Sequence, residues 1–184
     1  MLTLVVPATE WYDESKEEFV TVKEQKLQLE HSLVSVSKWE SKWQKVYLDE
    51  KRVPTPEESL DYIRCMTITQ NVDEMVYLAI GQSPSLQKQV QDYINNKMTA
   101  TFFSDDKKKH GPTREKVTSE LIYYWMISQN IPFECQKWHL NRLLTLIKVC
   151  NVKSTPQKKM SAKELARRNN DLNAARRAAL HTKG

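Results

Sequence analysis

Glycine is nearly missing from this chain, with three residues in 184. That scarcity argues against a glycine-rich loop cradling phosphate and against a turn-rich all-β fold. Cysteine is also sparse. Cys65, Cys135 and Cys150 form an odd set with no close pair, which points to reduced thiols in a reducing compartment rather than a disulfide framework. The longest apolar runs fall far short of the roughly 20 residues needed to span a bilayer. Met1–Pro7 is apolar but short and lacks a basic start, so no signal peptide is expected. Internal repeats and low-complexity segments are missing as well.

Hydrophobic residues make up 40% of the chain, enough for a core, while 28% charged residues and a mean hydropathy of −0.64 indicate a soluble protein. The length favours one domain with an appendage. The formal charge of +5 hides a gradient. Residues 1–50 hold six Lys/Arg and ten Asp/Glu, residues 51–152 thirteen and eleven, and residues 153–184 nine and two. Such asymmetry predicts a basic tail that seeks an acidic partner: nucleic acid, another protein, or the N-terminal part of a neighbouring copy.

The most apolar stretch is 118–152, which reads as two helices joined at Asn130–Ile131–Pro132. Proline disfavours helix in the residue before it, so the first helix should stop near Gln129. Phe133, Lys137, Leu140, Leu144 and Ile147 follow helical spacing in the second. The expectation is a buried helical hairpin that serves as the central post of the fold.

Upstream, Leu2–Val6, Phe19–Lys23 and Lys26–Glu30 read as strands of a small antiparallel sheet, with 10–15 as a polar turn. From Ser32, a plausible N-cap, residues Leu33, Val36, Trp39 (or Glu40), Trp43 and Tyr47 recur at helical spacing. Trp39 and Trp43 fall on one face, either packed on the central post or anchoring a partner protein. Thr55, Pro56 and Glu58 form a capping box with proline at the first helical position, opening a helix to about Cys65 or Met66. Further helices are expected over 71–80, stopped by Gly81, and from Ser83–Pro84 to about Ile94. Residues 95–103 read as extended and 104–112 as an exposed charged loop. The first helix of the hairpin should begin at Thr113, placing Glu115 and Glu120 in its first two turns. Residues 153–160 read as an extended linker. Ser161 to Glu164 then looks like a capping box for a helix with a thin apolar stripe, Leu165, Leu172, Ala175 and Ala179.

The fold expected is therefore mainly α with a small N-terminal antiparallel β-sheet, an α+β arrangement with a helical core. Residues 1–152 form one globular domain, with 1–31 as sheet and 32–152 helical, and 153–184 form a basic C-terminal linker and helical arm.

Candidate chemistry is thin. Cys135 and His139, four apart on a predicted helix, match the spacing of two metal ligands or of a nucleophile and its base, but no further ligand pair and no orienting carboxylate accompany them. No catalytic residue, metal or cofactor is assigned. The helix–turn–helix outline at 118–152 offers only Lys137, Arg142 and Lys148 on its would-be recognition helix. The better electrostatic candidates are Lys158, Lys159, Lys163, Arg167, Arg168, Arg176 and Arg177 in the tail, which lacks aromatic residues for base stacking.

Three blocks carry a resemblance: residues 31–43 (HSLVSVSKWESKW), 130–151 (NIPFECQKWHLNRLLTLIKVCN) and 156–177 (PQKKMSAKELARRNNDLNAARR). Together they resemble the tail assembly chaperones of long-tailed bacteriophages. The resemblance implies a non-enzymatic protein of the host bacterial cytoplasm that binds the tape-measure protein, assists tail-tube protein assembly and leaves before the virion matures. The short apolar runs argue against a membrane partner, and a homo-oligomer stays open. Under it, Trp39, Trp43 and the seven basic residues of the tail are the candidate partner-binding residues. The alternatives are a structural virion component, such as a head–tail connector or capsid-associated protein, and a phage nucleic-acid-binding regulator.

Overall fold

A computed structural model of the chain describes residues 1–13, 17–49, 51–103, 116–154 and 162–180. The expected loop over 104–112, the helix start at Thr113, Glu115, the linker residues 155–160 and the Ser161 cap lie outside the described residues. The fold is mainly helical with a small antiparallel β component. The chain divides into two compact units, Met1–Asn151 and Val152–Gly184.

The first unit opens with strands β1 (Leu2–Val6), β2 (Thr9–Asp13), β3 (Glu18–Val22) and β4 (Gln25–Leu29). β1 and β4 pair antiparallel, from Leu2 opposite Leu29 to Val6 opposite Gln25. The β2–β3 pair is inserted between them as a ribbon of its own, with Thr9 opposite Val22 and Asp13 opposite Glu18. Alternation along β1 and β4 buries Leu4, Val6, Leu27 and Leu29 on one face. The stretch read as a polar turn is thus largely β2; its acidic composition hid a strand that cross-strand pairing supports.

Helix α1 (Leu33–Trp43) starts at Ser32, whose hydroxyl accepts from the Ser35 N–H at 3.3 Å. It ends where Gln44 turns left-handed at φ 51°, so Tyr47 lies beyond the helix. Helix α2 (Pro56–Met66) has the full Thr55–Glu58 capping box and proline in its first turn. Two backbone bonds return the chain after α2 to the sheet: Glu30 N–H to Met66 O at 2.9 Å and Ile68 N–H to Gln28 O at 2.8 Å. Helix α3 (Glu74–Gln82) begins at the Asp73 cap and continues through Gly81, which stops nothing. One glycine in a helix costs only about 1 kcal/mol, which tertiary packing outweighs. Helix α4 (Pro84–Asn95) uses Pro84 in its first turn, but the Ser83 hydroxyl makes no cap bond.

Helix α5 (Ser119–Ser128) starts at the Thr118 cap, five residues after the expected position, and ends at Gln129 as Pro132 requires. Residues 133–137 form a short 3-10 turn, and helix α6 (Leu140–Ser154) follows a break at Trp138–His139. The expected continuous second helix is therefore two pieces. α6 also runs on through Ser154, where a linker was expected, because no helix stop precedes Pro156.

α1 and the hairpin share the core of the unit, since Ile122 and Met126 of α5 and Leu140 and Leu143 of α6 are as fully buried as the apolar face of α1. Leu33, Val36 and Trp39 are fully buried, and α1 packs on α2, α5 and the 3-10 turn. α5 is largely apolar: Ile122 and Met126 are fully buried, Tyr123 and Trp125 pack against the core partly buried, and Tyr124 and Ile127 are exposed.

The second unit contains helix α7 (Ala162–Leu180). Every side chain described on it is exposed, including Leu165, Leu172 and Leu180.

Candidate functional site

The seam between α1 and α2 holds both predicted tryptophans. Trp39 is 1% exposed, and its indole N–H donates to the Glu58 carbonyl at 2.9 Å. Trp43 is half-buried; its indole stacks beside Trp39 at 6.2 Å, and its N–H donates to Asp61 Oδ2 at 2.8 Å. Four apart on one face, they pack toward α2 rather than the α5–α6 hairpin. In this arrangement Trp39 is a core residue, and only Trp43 retains surface.

The seam is also a charge network. Lys42 Nζ lies 2.5 Å from Asp61 Oδ1, with Arg64 at 3.5 Å from the same oxygen. Lys45 Nζ lies 2.6 Å from Glu58 Oε1, while Arg52 pairs with Glu58 Oε2 and stacks over the Trp39 ring. The Lys45 ammonium and the Thr55 N–H hold the Glu58 carboxyl below its ordinary range against the cost of burial. For Asp61, burial pushes upward, but bonds from Lys42 and Trp43 outweigh it and hold the group ionised.

Glu40, 8% exposed, ties three elements together. Its Oε1 accepts from the Tyr47 N–H at 2.9 Å, and its Oε2 accepts from the Ser119 N–H at 2.8 Å, at the first residue of α5. A carboxylate at a helix N-terminus satisfies donors that the helix itself leaves unpaired.

Cys135 and His139, the pair considered for metal or nucleophilic chemistry, lie on either side of the helix break. His139 donates from Nε2 to the Tyr93 carbonyl at 3.0 Å and accepts at Nδ1 from the Asn141 N–H at 3.3 Å. Both ring nitrogens are therefore engaged by backbone. Asn141 adds bonds to the carbonyls of Ile94 and Asn96, so the start of α6 caps the end of α4. His31, 2% exposed, sits edge-on to His139 at 5.0 Å and lies 2.5 Å from the Tyr62 hydroxyl through Nδ1. Burial first, and the neighbouring His139 second, lower the pKa of His31 to about 3; burial lowers His139 too, opposed by its bond to Tyr93. Both rings are neutral at pH 7. Among the described residues, no group of three His, Cys, Asp or Glu side chains is placed to hold a metal ion. None of Cys65, Cys135 and Cys150 forms a disulfide.

Beside the seam runs an open groove of about 1690 Å³, with Trp39, Arg52, Glu58, Tyr62, Lys88 and Trp125 among its lining residues. It exceeds the roughly 300–1,000 Å³ of small-molecule pockets and suits a polypeptide segment better.

Of the basic tail residues, Lys163, Arg167, Arg168, Arg176 and Arg177 are exposed on α7, whereas Lys158 and Lys159 lie outside the described residues. The sequence reading missed Glu40, Glu58, Asp61 and His31 as buried polar anchors. Glu58 was marked by its capping box, but its pairing with Lys45 and Arg52 has no local signature. Among the described residues, no helix is long and apolar enough to cross a membrane. No protein-family description, curated protein or solved structure matches the chain.

Proposed function

We propose that this protein is a non-enzymatic phage tail assembly chaperone that holds the tape-measure protein during tail assembly. The observation that carries this reading is α7: 19 residues of basic helix whose described side chains are all exposed. Helices in proteins draw most of their stability from packing one face, so a helix whose described side chains are all exposed is best accounted for as one that docks on a partner. The resemblance in the three sequence blocks supplies the partner, a long helical protein. The open groove offers a second surface of polypeptide size, and Trp43 lies on the neighbouring seam. The polar clusters support the same reading, since the buried His31–His139 pair and the Glu40, Glu58 and Asp61 carboxylates all have structural partners within the fold. Deleting 153–184 and measuring co-purification with the tape-measure protein tests the role of the arm, and undiminished binding refutes it.

The same exposed basic helix favours one alternative, a virion component whose arm contacts neighbouring subunits or packaged DNA. Purified particles separate the two. A stoichiometric band of this protein in mature virions supports the virion component, and its absence supports the chaperone.

A further inference from the structure

We propose that the outward face of the β2–β3 ribbon is a docking surface for helix α7 of a second copy of this chain. The inference does not rest on the chaperone reading.

The ribbon is the most acidic part of the sequence. Residues 9–22 carry Glu10, Asp13, Glu14, Glu17 and Glu18 against Lys16 alone. Its faces differ. Val22 is buried, so the face it shares by alternation turns inward at the base of the ribbon. On the other face Tyr12 and Phe19 lie opposite each other, edge to face at 5.2 Å, and are 50% and 69% exposed. Glu10 and Thr21, the next pair on this face, are exposed and joined by a 3.5 Å bond, and the exposed Glu17 precedes β3. Two large aromatic rings set in water beside carboxylates form a surface suited to a basic helix that carries some apolar side chains.

α7 is such a helix. Its described stretch holds Lys163, Arg167, Arg168, Arg176 and Arg177 against Glu164 and Asp171. Leu165, Leu172 and Ala179 recur every seven residues and make one narrow stripe, with Arg176 falling on it one turn beyond Leu172. Lengths match as well. Strands of five residues extend about 17 Å, or about three helical turns, enough to seat two members of the stripe against Tyr12 and Phe19. Each copy carries one ribbon and one α7, so the contact is head-to-tail. Its area is small and its charges are exposed, so it is weak and salt-sensitive.

Sedimentation velocity of the nuclease-treated full chain tests this. The expected result is concentration-dependent association at about 50 mM salt that is lost at about 500 mM. Two double variants sharpen it: Glu10→Lys with Glu17→Lys on the ribbon, and Arg176→Glu with Arg177→Glu on α7. Each alone should be monomeric with unchanged far-UV circular dichroism. Mixed together, they should associate again, because the ribbon and α7 of each variant then face surfaces of opposite charge on the other. Tyr12→Ser with Phe19→Ser should weaken association about tenfold while keeping its salt dependence. A monomer under every condition, association indifferent to the charge reversals, or association that nuclease abolishes would each overturn the proposal. The ribbon variants leave α7 intact, so loss of self-association with retained tape-measure binding separates this contact from the chaperone reading.

Discussion

Glu40 permits a prediction that a contact census alone would not make. Its carboxylate is buried and divided between two backbone donors, Tyr47 N–H at 2.9 Å and Ser119 N–H at 2.8 Å. Glu40→Ala leaves both without their acceptor. A buried unsatisfied donor costs about 1–3 kcal/mol, so the variant should lose about 2–5 kcal/mol, a large share of the 5–15 kcal/mol typical of a domain. Glu40→Gln keeps one acceptor oxygen and turns an NH2 group toward the other donor, and should lose about 2–4 kcal/mol. The second perturbation removes the donor instead. Ser119 is the first residue of α5, where proline is tolerated, and Thr118 already has the extended conformation that proline requires before it. In the wild-type background, Ser119→Pro strips one bond from a buried carboxylate and should destabilise by about 1–3 kcal/mol. In the Glu40→Ala background the same change deletes an orphaned N–H, so it should be neutral or recover about 1 kcal/mol. The double-mutant cycle cancels steric costs of the proline ring and isolates the coupling. Urea unfolding followed by tryptophan fluorescence and far-UV circular dichroism supplies the free energies. Additive effects, or a Glu40→Ala loss under about 0.5 kcal/mol, would refute the assignment of Glu40 as the clasp between α1 and α5.

Three further outcomes follow from which groups are buried and which are exposed. The His31 pKa is depressed in the folded state, so the unfolded chain binds more protons below pH 6.5; stability is full above that value and falls as pH drops toward about 3. Between pH 7.5 and pH 5, His31 alone should cost about 2 kcal/mol, and His31→Phe should flatten this slope, whereas Glu58 and Asp61, held below the usual carboxylate range, act only below about pH 4.5. Trp39→Phe should lose about 2–4 kcal/mol by opening a void and removing the indole bond to the Glu58 carbonyl, against about 1 kcal/mol for half-buried Trp43→Phe; equal losses in chemical denaturation would contradict the difference in burial. Reversing Arg176 and Arg177 should leave the unfolding free energy within about 0.5 kcal/mol of wild type in the same assay, since both lie on the exposed α7.

Local chemistry was the legible part of this fold. Ser32, Thr55 with Glu58, and Pro132 each fix a backbone group or forbid one, so the boundaries of α1, α2 and α5 they mark could be read residue by residue. Tertiary choices were not legible. The Thr9–Asp13 strand is polar because its outer face stays in water, and its pairing with β3 leaves no signal within the segment itself. α5 is apolar on nearly every side, so which side chains are fully buried, Ile122 and Met126, and which are exposed, Tyr124 and Ile127, is set by the elements packed against it. The clasp of His139 and Asn141 on the end of α4 joins residues 45 to 47 positions apart, so spacing along the chain could not suggest it. The basic arm was visible at once, since charge density survives without knowledge of the fold. What it binds is a property of a second molecule.

The most direct test of the chaperone reading is the solubility of the tape-measure protein. Co-expressing it with the full chain, and measuring the fraction that remains in the supernatant after centrifugation, asks what the chaperone is proposed to do. The full chain should keep the tape-measure protein soluble, and Arg176→Glu with Arg177→Glu should reduce that fraction sharply. A soluble fraction unchanged by the presence of the full chain would contradict the chaperone reading.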